Sequence, residues 1–302
     1  MRLHVATAVL VLLTVTRLSA AEVLLKNSWI STFKNRVTMA LTYKLEKAHK
    51  RPNPVGEKSD DGDMHLAGRS TQVGLPFVVE IVNAGLGSHG EVLASIKTLV
   101  AKAGTIKIEG AWRLWFEHPD TKNVQQQGAA VAAPKNTNPP HVFEIHPVTK
   151  WGDDVLDESF VPIKDFTAHD AKTAFGRYEK MIVTVTKKAS LTAFSSKTIG
   201  YNYTEFTIVL TSTAKKVDDG LMALARVKSL DGQELVNIPR RMVFAHGTPP
   251  AARVAGASKG DTFRALGIPR LNLERLMEKA RSGKSVAVQA PYEMIVVGLT
   301  KG

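Results

Sequence analysis

The order of predicted elements between residues 36 and 151 constrains the fold more than any other feature of this chain. Over residues 36–50, apolar and polar side chains alternate, which is the period-two pattern of a half-buried strand. Residues 90–103 change to the helical period, with apolar side chains recurring on one face. Alternating or β-branched sequence predicts four further strands, at residues 62–69, 76–83, 105–117 and 141–150.

Three strands, a helix and two strands in this order are the wiring of a five-stranded OB (oligonucleotide/oligosaccharide-binding) barrel. The predicted fold class is therefore all-β, beginning with an OB-like barrel that carries one helix between its third and fourth strands. The second half is also β-rich, and it contains one short predicted helix at residues 272–281. Its predicted strands are residues 178–187, 201–213, 221–229 and 241–245, followed by one or two strands within 285–299. Periodicity leaves a second barrel and a β-sandwich both open for this half.

The N-terminus has the pattern of a secretory signal. A short basic start at Arg2 and His4 precedes an apolar run over residues 6–15, and small residues at 19–21 predict cleavage before Glu22. A retained membrane anchor is the alternative interpretation of this run. We predict an exported protein, periplasmic or secreted, without a transmembrane segment in the mature chain. The predicted boundaries are 1–21 for the signal peptide, 22–151 for the OB-like domain, 152–174 for a connector and 175–302 for the second domain.

The charge balance indicates what kind of partner the chain favours. The 40 Lys and Arg residues outnumber the 28 Asp and Glu residues, which gives a net charge of +12. Loss of Arg2 and Arg17 with the signal lowers this to +10. Such a charge favours anionic partners, although a general role in solubility fits it equally well. The chain has no cysteine, which excludes disulfides, thiolate metal sites and a cysteine nucleophile.

Five ionisable side chains are predicted to converge on one face of the first barrel. Asp63 and His65 are two residues apart on one strand, as are Glu144 and His146 on the last strand, and Glu80 lies on the strand between them. Imidazole and carboxylate groups are ligands for zinc or another divalent cation, which could activate water for hydrolysis. The alternative is a hydrogen-bonded network in which the carboxylates orient the histidines.

Aromatic and basic side chains predict a ligand face on the same barrel. On the fourth strand, Trp112 and Phe116 share one face, which we expect to fill the core. The opposite face and the neighbouring loops offer cations beside an aromatic ring, which is a pattern of nucleic-acid and glycan binding on OB barrels. The predicted surface lies between the loops at 51–61 and 119–140. Its candidate ligand contacts are Lys50, Arg51, Arg69, Arg113 and Trp115.

Four stretches of the first half resemble a group of uncharacterised exported bacterial proteins. They are DGDMHLAGR (61–69), LPFVVEIVNA (75–84), GAWRLWFEH (110–118) and HVFEIHPV (141–148). The shared pattern is an Asp-Gly-Asp-x-His strand, a Gly-x-x-x-Phe/Trp strand and a Glu-x-His-Pro strand, and it covers about half of the mature chain. The resemblance implies an OB-like first domain and export, and it implies no activity. The Gln-rich loop at 118–140 departs from the group.

The sequence therefore predicts an exported protein that binds a partner without catalysis. The expected partner is an anionic polymer, either nucleic acid or acidic glycan, or an envelope component. One alternative is a metal-dependent hydrolase that uses the His/Asp/Glu cluster, and another is a structural envelope protein that binds a second protein through its sheet edges. No cofactor is predicted apart from a divalent metal such as zinc. The chain has no Gly-x-Ser-x-Gly sequence, which leaves no serine-hydrolase signature.

Overall fold

The first half of the chain forms mostly strands. The structure is a computed structural model that describes residues 20–58 and 60–302. Its elements are β1 (Ala21–Lys26), α1 (Asn27–Phe33), β2 (Thr38–Ala48), β3 (Met64–Arg69), β4 (Phe77–Ile81), α2 (Gly90–Lys102), β5 (Thr105–His118), β6 (Gln125–Gln126), β7 (His141–Trp151) and β8 (Asp154–Val155). The predicted signal peptide lies outside the described residues, apart from its last two positions.

Five of these strands close into a barrel, which we call barrel 1. Strand β2 pairs with β3 and with β5, and β3 pairs with β4, all antiparallel. Strand β7 completes the barrel by pairing parallel with β4 and antiparallel with β5. This is the OB strand order, and α2 lies between the third and fourth strands of the barrel. The predicted OB-like fold and the position of its helix are confirmed.

The second half adds a further set of strands and three helices. Its elements are α3 (Ala171–Tyr178), β9 (Ile182–Lys187), β10 (Leu191–Ser196), β11 (Thr204–Leu210), β12 (Lys215–Val217), β13 (Gly220–Lys228), β14 (Arg240–Ala245), α4 (Pro249–Ala255), β15 (Thr262–Leu271), α5 (Leu273–Lys279), β16 (Ser285–Gln289) and β17 (Tyr292–Lys301). The strand predicted at 178–187 begins only at Ile182, because α3 extends to Tyr178. Helix α5 begins after Asn272, whose side chain accepts a hydrogen bond from the Arg275 N–H at 3.0 Å.

Strands β11, β13, β14, β17 and β15 close into barrel 2. Strand β11 pairs antiparallel with β13 and β15, and β13 pairs antiparallel with β14. Strand β17 pairs parallel with β14 and antiparallel with β15. This order repeats that of barrel 1, and α4 lies between the third and fourth strands of barrel 2. The alternative left open by the sequence is thus decided in favour of a second barrel.

A third sheet joins the two halves. Its strand order is β16-β9-β10-β1-β6. Strand β1, from the start of the described chain, pairs antiparallel with β10 of the second half. One hydrophobic core contains residues of both halves, including Trp29 and Phe143 from the first and Phe175 and Phe206 from the second. The predicted division into domains stays a prediction. Among the described residues, no helix has the length and apolar character needed to cross a membrane.

The two barrels contact each other through their outer faces. Apolar side chains at this contact come from barrel 1, from barrel 2 and from the segment after β8. They include Ala111 of β5, Ile268 of β15, Ile295 of β17 and Phe160 of the linking segment. Buried arginines cross the same contact. Arg113 of β5 donates to the Pro269 carbonyl, and Arg270 of β15 donates to the Val37 and Trp112 carbonyls. The contact therefore determines which barrel surfaces remain open to a ligand.

Candidate functional site

The outer face of barrel 1 carries a continuous row of acidic and basic side chains, which we call the ionic ladder. The ladder runs through Asp63, His65, Glu80, His146, Glu144, Arg113 and Glu117. The structure thus brings together the five side chains for which the sequence predicts a metal cluster, and it adds an arginine and a further glutamate.

Strand geometry explains why these side chains meet. His65 lies directly opposite Glu80 in the β3–β4 pairing, and Arg113 lies directly opposite Glu144 in the β5–β7 pairing. Phe143 of β7 belongs to the core, so its sequence neighbour Glu144 points to the outer face. Barrel 2 packs over this outer face, and the ladder is consequently almost completely buried.

The β3 end of the ladder consists of imidazoles between carboxylates. His65 Nε2 lies 3.3 Å from Asp63 Oδ2 and 3.8 Å from Glu80 Oε1. Glu80 Oε2 lies 2.9 Å from His146 Nδ1. On the opposite side of its ring, His146 Nε2 is 2.6 Å from the hydroxyl of Tyr203, a residue just before β11. Glu80 is therefore held between the two histidines.

The β5 end of the ladder is built around a guanidinium. Arg113 donates through Nη1 to Glu144 Oε2 at 2.6 Å and through Nη2 to Glu117 Oε2 at 2.8 Å. His146 Nδ1 lies 3.3 Å from the same Glu144 oxygen, and His141 Nε2 lies 3.1 Å from Glu144 Oε1. Glu144 is thus the carboxylate with the most partners in the ladder. Such charge-assisted hydrogen bonds offset the desolvation of the buried charges.

Burial and neighbouring charges shift the pKa values of ionisable groups in and beside the ladder. Burial alone would lower the pKa of His65, but the carboxylates of Glu80 and Asp63 outweigh it and raise this pKa to about 11. For His146, Glu80 and Glu144 likewise outweigh burial and raise the pKa to about 10. Burial and the charges of Asp63 and Glu80 raise the pKa of the neighbouring Asp61 carboxyl to about 9. At neutral pH, protonated imidazoles therefore balance the buried carboxylates when no other cation is bound.

Two sets of side chains in the ladder have metal-ligating geometry. One set is Asp63, His65 and Glu80, and the other is Glu80, Glu144 and His146. In each set the ligand atoms lie within 4.8 Å of one another. The two histidines belong to different sets that share Glu80. Imidazole and carboxylate donors suit zinc, manganese or iron(II).

Two of the predicted ligand contacts are buried. Arg113 has no exposed surface, and Trp115 is 1% exposed and packs edge-on against the ring of Tyr178. Alternation along β5 correctly places Arg113 on the outer face, but barrel 2 covers that face. Neither side chain is available to a ligand in this structure, and both are left out of the candidate surface.

The remaining predicted contacts differ in their accessibility. Arg69 binds the Glu46 carboxylate through Nε at 3.0 Å and Nη2 at 2.5 Å, and it also donates to the Val131 carbonyl. Lys50 and Arg51 are exposed. Because Arg69 is already occupied, only the two exposed side chains keep the role that the sequence predicts for them.

The loops that the sequence predicts as walls of the ligand surface are each fastened to another part of the fold. In the loop at 51–61, the Lys58 N–H donates to the Thr167 carbonyl at 2.9 Å, and Thr167 N–H donates to Gly56 at 2.8 Å. In the loop at 119–140, the Gln127 side chain donates to the Val73 carbonyl at 3.0 Å and accepts from Lys26 N–H at 2.8 Å. These contacts hold the loops in place by backbone and amide hydrogen bonds.

Barrel 2 carries an open groove that sequence reasoning did not single out. The groove has a volume of about 840 Å³ and lies over β13 and β14. One wall comes from the β11–β13 connection with β12, and the other comes from α5 and β16, which connect β15 to β17. OB barrels bind their ligands on this face and between these two connections. The Arg240–Arg241 pair is the signal in the sequence that could have pointed here.

The barrel 2 groove is basic and partly apolar. Five basic side chains and two acidic ones line it, and Ile238 and Leu224 on its floor are 63% and 45% exposed. Arg240 is held by the Glu179 carboxylate at 2.5 Å and lies over the ring of Tyr292. The charged lining residues are Lys215, Arg240, Arg241, Arg275, Lys279, Glu274 and Glu278.

Comparison with known proteins finds no related family and only weak structural similarity. No protein-family model matches the chain. No curated protein matches it either. Among solved structures, the chain is similar to the wild-type single-stranded DNA-binding protein from Thermus aquaticus, at 10% identity over 88% of this chain and 92% of that one, with a TM-score of 0.21. It is also similar to a murine DNA-binding protein bound to double-stranded DNA, at 12% identity over 86% and 99% of the two chains, with a TM-score of 0.18. Scores this low carry no argument about function.

Proposed function

We propose that this chain is an exported, non-catalytic binding protein whose barrel 2 groove holds an extended anionic polymer. The observation that carries the proposal is the position of a basic groove on the face that OB barrels use for ligands. Export is part of the proposal because of the signal pattern in residues 1–21. Cell fractionation followed by mass spectrometry should find the chain outside the cytoplasm with Glu22 at its N-terminus. A chain confined to the cytoplasm would contradict export, and an exported chain that keeps Met1 would contradict cleavage.

Basic side chains stand on both walls of the groove, and on the α5 wall they alternate with Glu274 and Glu278. Lys215 of β12 stands on one wall, and Arg275 and Lys279 of α5 stand on the other. Within residues 20–58 and 60–302, neither Lys215 nor Lys279 has an ion-pair partner, and the pair between Arg275 and Glu278 is solvent-exposed and therefore weak. Cations on two facing walls, with apolar side chains between them, suit a polymer that carries charges along its length.

The groove favours recognition by charge over recognition by stacked bases. Among the residues that the structure describes, Tyr292 is the one aromatic residue that lines it, and its ring is buried under the guanidinium of Arg240. Proteins that bind single-stranded nucleic acid commonly stack bases on exposed aromatic rings. An acidic glycan, whose sulfate or carboxylate groups contact lysine and arginine directly, is therefore the polymer class that we favour over single-stranded nucleic acid.

Titration of a labelled sulfated oligosaccharide and of a labelled oligothymidylate, followed by fluorescence anisotropy over a range of salt concentrations, tests the proposal. For the double variant Lys215→Ala/Lys279→Ala, we expect weaker binding and a slope of log K against log salt that is reduced by about 2, since each lysine contact contributes about 1. The matched control is Lys50→Ala/Arg51→Ala, which removes the same charge from barrel 1.

The control separates the groove from the surface predicted on barrel 1. If the barrel 1 variant loses binding while the groove variant keeps it, the groove is not the site. If neither polymer binds with salt dependence, the protein is not a polyanion-binding protein. Tighter binding of the oligothymidylate would move the proposal from glycan to nucleic acid.

Burial argues against the hydrolase alternative. Of the side chains in the two metal-ligating sets, only His65 has appreciable exposure, at 15% of its side-chain surface. A polymer substrate needs direct access to a metal-bound water, which this arrangement does not provide. We therefore propose no catalysis at the ladder.

A further inference from the structure

We propose that Asp63, His65 and Glu80 bind one divalent metal ion of the zinc, manganese or iron(II) class in a largely buried site on barrel 1. This inference is independent of the proposed polymer groove, which lies on barrel 2. Its site has two carboxylates and one imidazole as donors.

Backbone geometry places the three donors around one point. Asp63 is two residues before His65, so both side chains leave the same face, and His65 is directly opposite Glu80 in the β3–β4 pairing. His65 Nε2 lies 3.3 Å from Asp63 Oδ2 and 3.8 Å from Glu80 Oε1. Donors on a tetrahedral ion with bonds of about 2.0–2.1 Å are about 3.3–3.4 Å apart. The separation from Asp63 matches this value, and the separation from Glu80 exceeds it by about 0.4 Å, which a small movement of the Glu80 side chain would remove.

An unpartnered buried oxygen atom in this set is available as a cation ligand. Asp63 Oδ2, which faces His65, is buried, and within the part of the chain that the structure describes it has no hydrogen bond. His65 Nε2 lies 3.3 Å from this oxygen without forming a hydrogen bond to it. Buried carboxylate oxygens without hydrogen bonds are costly. A metal ion would satisfy the lone pairs that the protein leaves unused.

The second metal-ligating set is closed by its own partners. Glu144 Oε2 already accepts a hydrogen bond from Arg113 at 2.6 Å, and Glu144 Oε1 contacts His141. His146 Nδ1 faces both Glu80 Oε2 at 2.9 Å and Glu144 Oε2 at 3.3 Å. A cation bound there would also lie beside the guanidinium of Arg113, which repels it. The site is therefore assigned to the Asp63 side of Glu80.

Outer contacts hold two of the three donors in position. The Asn53 amide donates to Asp63 Oδ1 at 2.8 Å, which turns Oδ2 toward His65. His146 Nδ1 lies 2.9 Å from Glu80 Oε2 and leaves Oε1 facing His65. Partners of this kind orient metal ligands and strengthen binding. Entry for the ion is at His65, whose ring is stacked on that of His49 with 4.9 Å between the centroids.

Metal content of the tag-free mature chain is the direct test. The protein is stripped with chelator, dialysed against zinc or manganese chloride alone, and analysed by elemental mass spectrometry and by titration calorimetry. We expect one ion per chain in the wild type. For His65→Ala we expect the affinity to fall by more than about 100-fold, because changes in outer-sphere partners alone cost about 10–100-fold.

Three further variants make the result decisive. His49→Ala is the matched control, since it removes the stacked neighbour of His65, and it should keep the ion. Glu144→Gln should also keep the ion, whereas a site in the second set would lose it. Asp63→Asn is nearly isosteric and should lose the ion, which covers the case in which His65→Ala fails to fold by circular dichroism.

Two results would overturn the assignment. One is a wild-type chain that binds neither ion stoichiometrically, and the other is a His65→Ala or Asp63→Asn chain that binds as tightly as the wild type. Binding of the sulfated oligosaccharide should be unchanged in folded His65→Ala. The metal site and the polymer groove can therefore fail separately.

Discussion

The two barrels have the same strand order but different side chains where they meet. The pairings β4–β7 and β14–β17 align Glu80 with Val243, and the pairings β3–β4 and β13–β14 then align His65 with Met222. On the fifth strand of each barrel, His146 corresponds to Ile295. Three polar side chains at this contact in barrel 1 thus correspond to apolar side chains in barrel 2. Because the fold is the same in both, the polar trio is not required by the fold.

One feature at the contact is shared by both barrels. Arg113 is opposite Glu144 in barrel 1, and Arg270 is opposite Glu293 at the corresponding position in barrel 2. Both arginines follow a Gly-x-x-Arg-Leu pattern, at residues 110–114 and 267–271. Each donates to a backbone carbonyl of the other barrel. The arginine–glutamate pair that both barrels share therefore joins them. The trio of His65, Glu80 and His146 is specific to barrel 1.

The largest expected effect is on the shared pair. Arg270→Met removes a guanidinium whose Nε donates to Glu293 Oε1 at 2.6 Å. The same guanidinium donates to the backbone carbonyls of Arg36, Val37 and Trp112 in the first half of the chain. Since removal of one member of a buried ion pair leaves an uncompensated charge, we expect a loss of about 3–5 kcal/mol in the free energy of unfolding. Urea denaturation followed by circular dichroism measures this, and Arg113→Met should behave alike.

Arg264→Met is the matched control for the shared pair. Arg264 also forms a two-bond pair with a glutamate, Glu205, but 52% of its side chain is exposed. Exposed pairs contribute little, so the change in stability should stay within about 1 kcal/mol. Equal losses for Arg264→Met and Arg270→Met would mean that the barrel contact has no special role.

The second prediction concerns the unshared trio. Glu80→Val alone leaves His65 and His146 without the carboxylate that lies between them, and it should cost about 1–3 kcal/mol. The triple variant His65→Met/Glu80→Val/His146→Ile gives barrel 1 the side chains of barrel 2. Because the triple variant leaves no histidine without its carboxylate, it should be more stable than the single variant, although Asp63 and Glu144 each lose one histidine partner.

Urea denaturation of both variants in the absence of metal measures this difference. The triple variant should also fail to bind zinc. If its free energy of unfolding is lower than that of the wild type by the sum of three independent losses, the polar trio is a structural requirement and the comparison between the barrels is misleading.

The fold of barrel 1 could be predicted because its signals are local. Alternation over 36–50 and the helical period over 90–103 are each visible within a short window. Strand β15 was missed because Gly267 and Pro269 weaken the strand pattern. The pairing of β1 with β10 depends on contacts between distant segments, which periodicity does not report.

The sequence predicts which side chains form the ladder, but it does not predict that the second half of the chain covers them. Spacing of two along a strand indicates that Glu144 and His146 share a face, and the structure places both in the ladder. That face is buried because Tyr203 and Pro269 of the second half pack over it. No pattern within the first half reports this cover, and Arg113 therefore resembled an exposed ligand contact in the sequence.

The third prediction concerns the contribution of Glu144 in the ladder to the pH dependence of stability. Burial alone would raise the pKa of Glu144, but Arg113 and the hydrogen bonds of His141 and His146 outweigh it and hold this pKa well below the usual range. The ionised form is therefore favoured in the folded chain. Its contribution is fully present above the unfolded pKa of about 4.3 and is lost as the pH falls toward the folded pKa.

Glu144→Gln removes this titrating group with little change in size. Between pH 7 and pH 3, we expect the free energy of unfolding to fall less steeply in the variant than in the wild type, by about 1.4 kcal/mol for each pH unit below the unfolded pKa of about 4.3, which amounts to about 2 kcal/mol at pH 3. Urea denaturation across this range measures both slopes. Parallel curves would mean that Glu144 titrates alike in the folded and unfolded chains, and the ladder would then not be the acid-sensitive part of the contact. A steeper wild-type curve would locate that sensitivity in the Arg113–Glu144 pair, where barrel 1 and barrel 2 are joined.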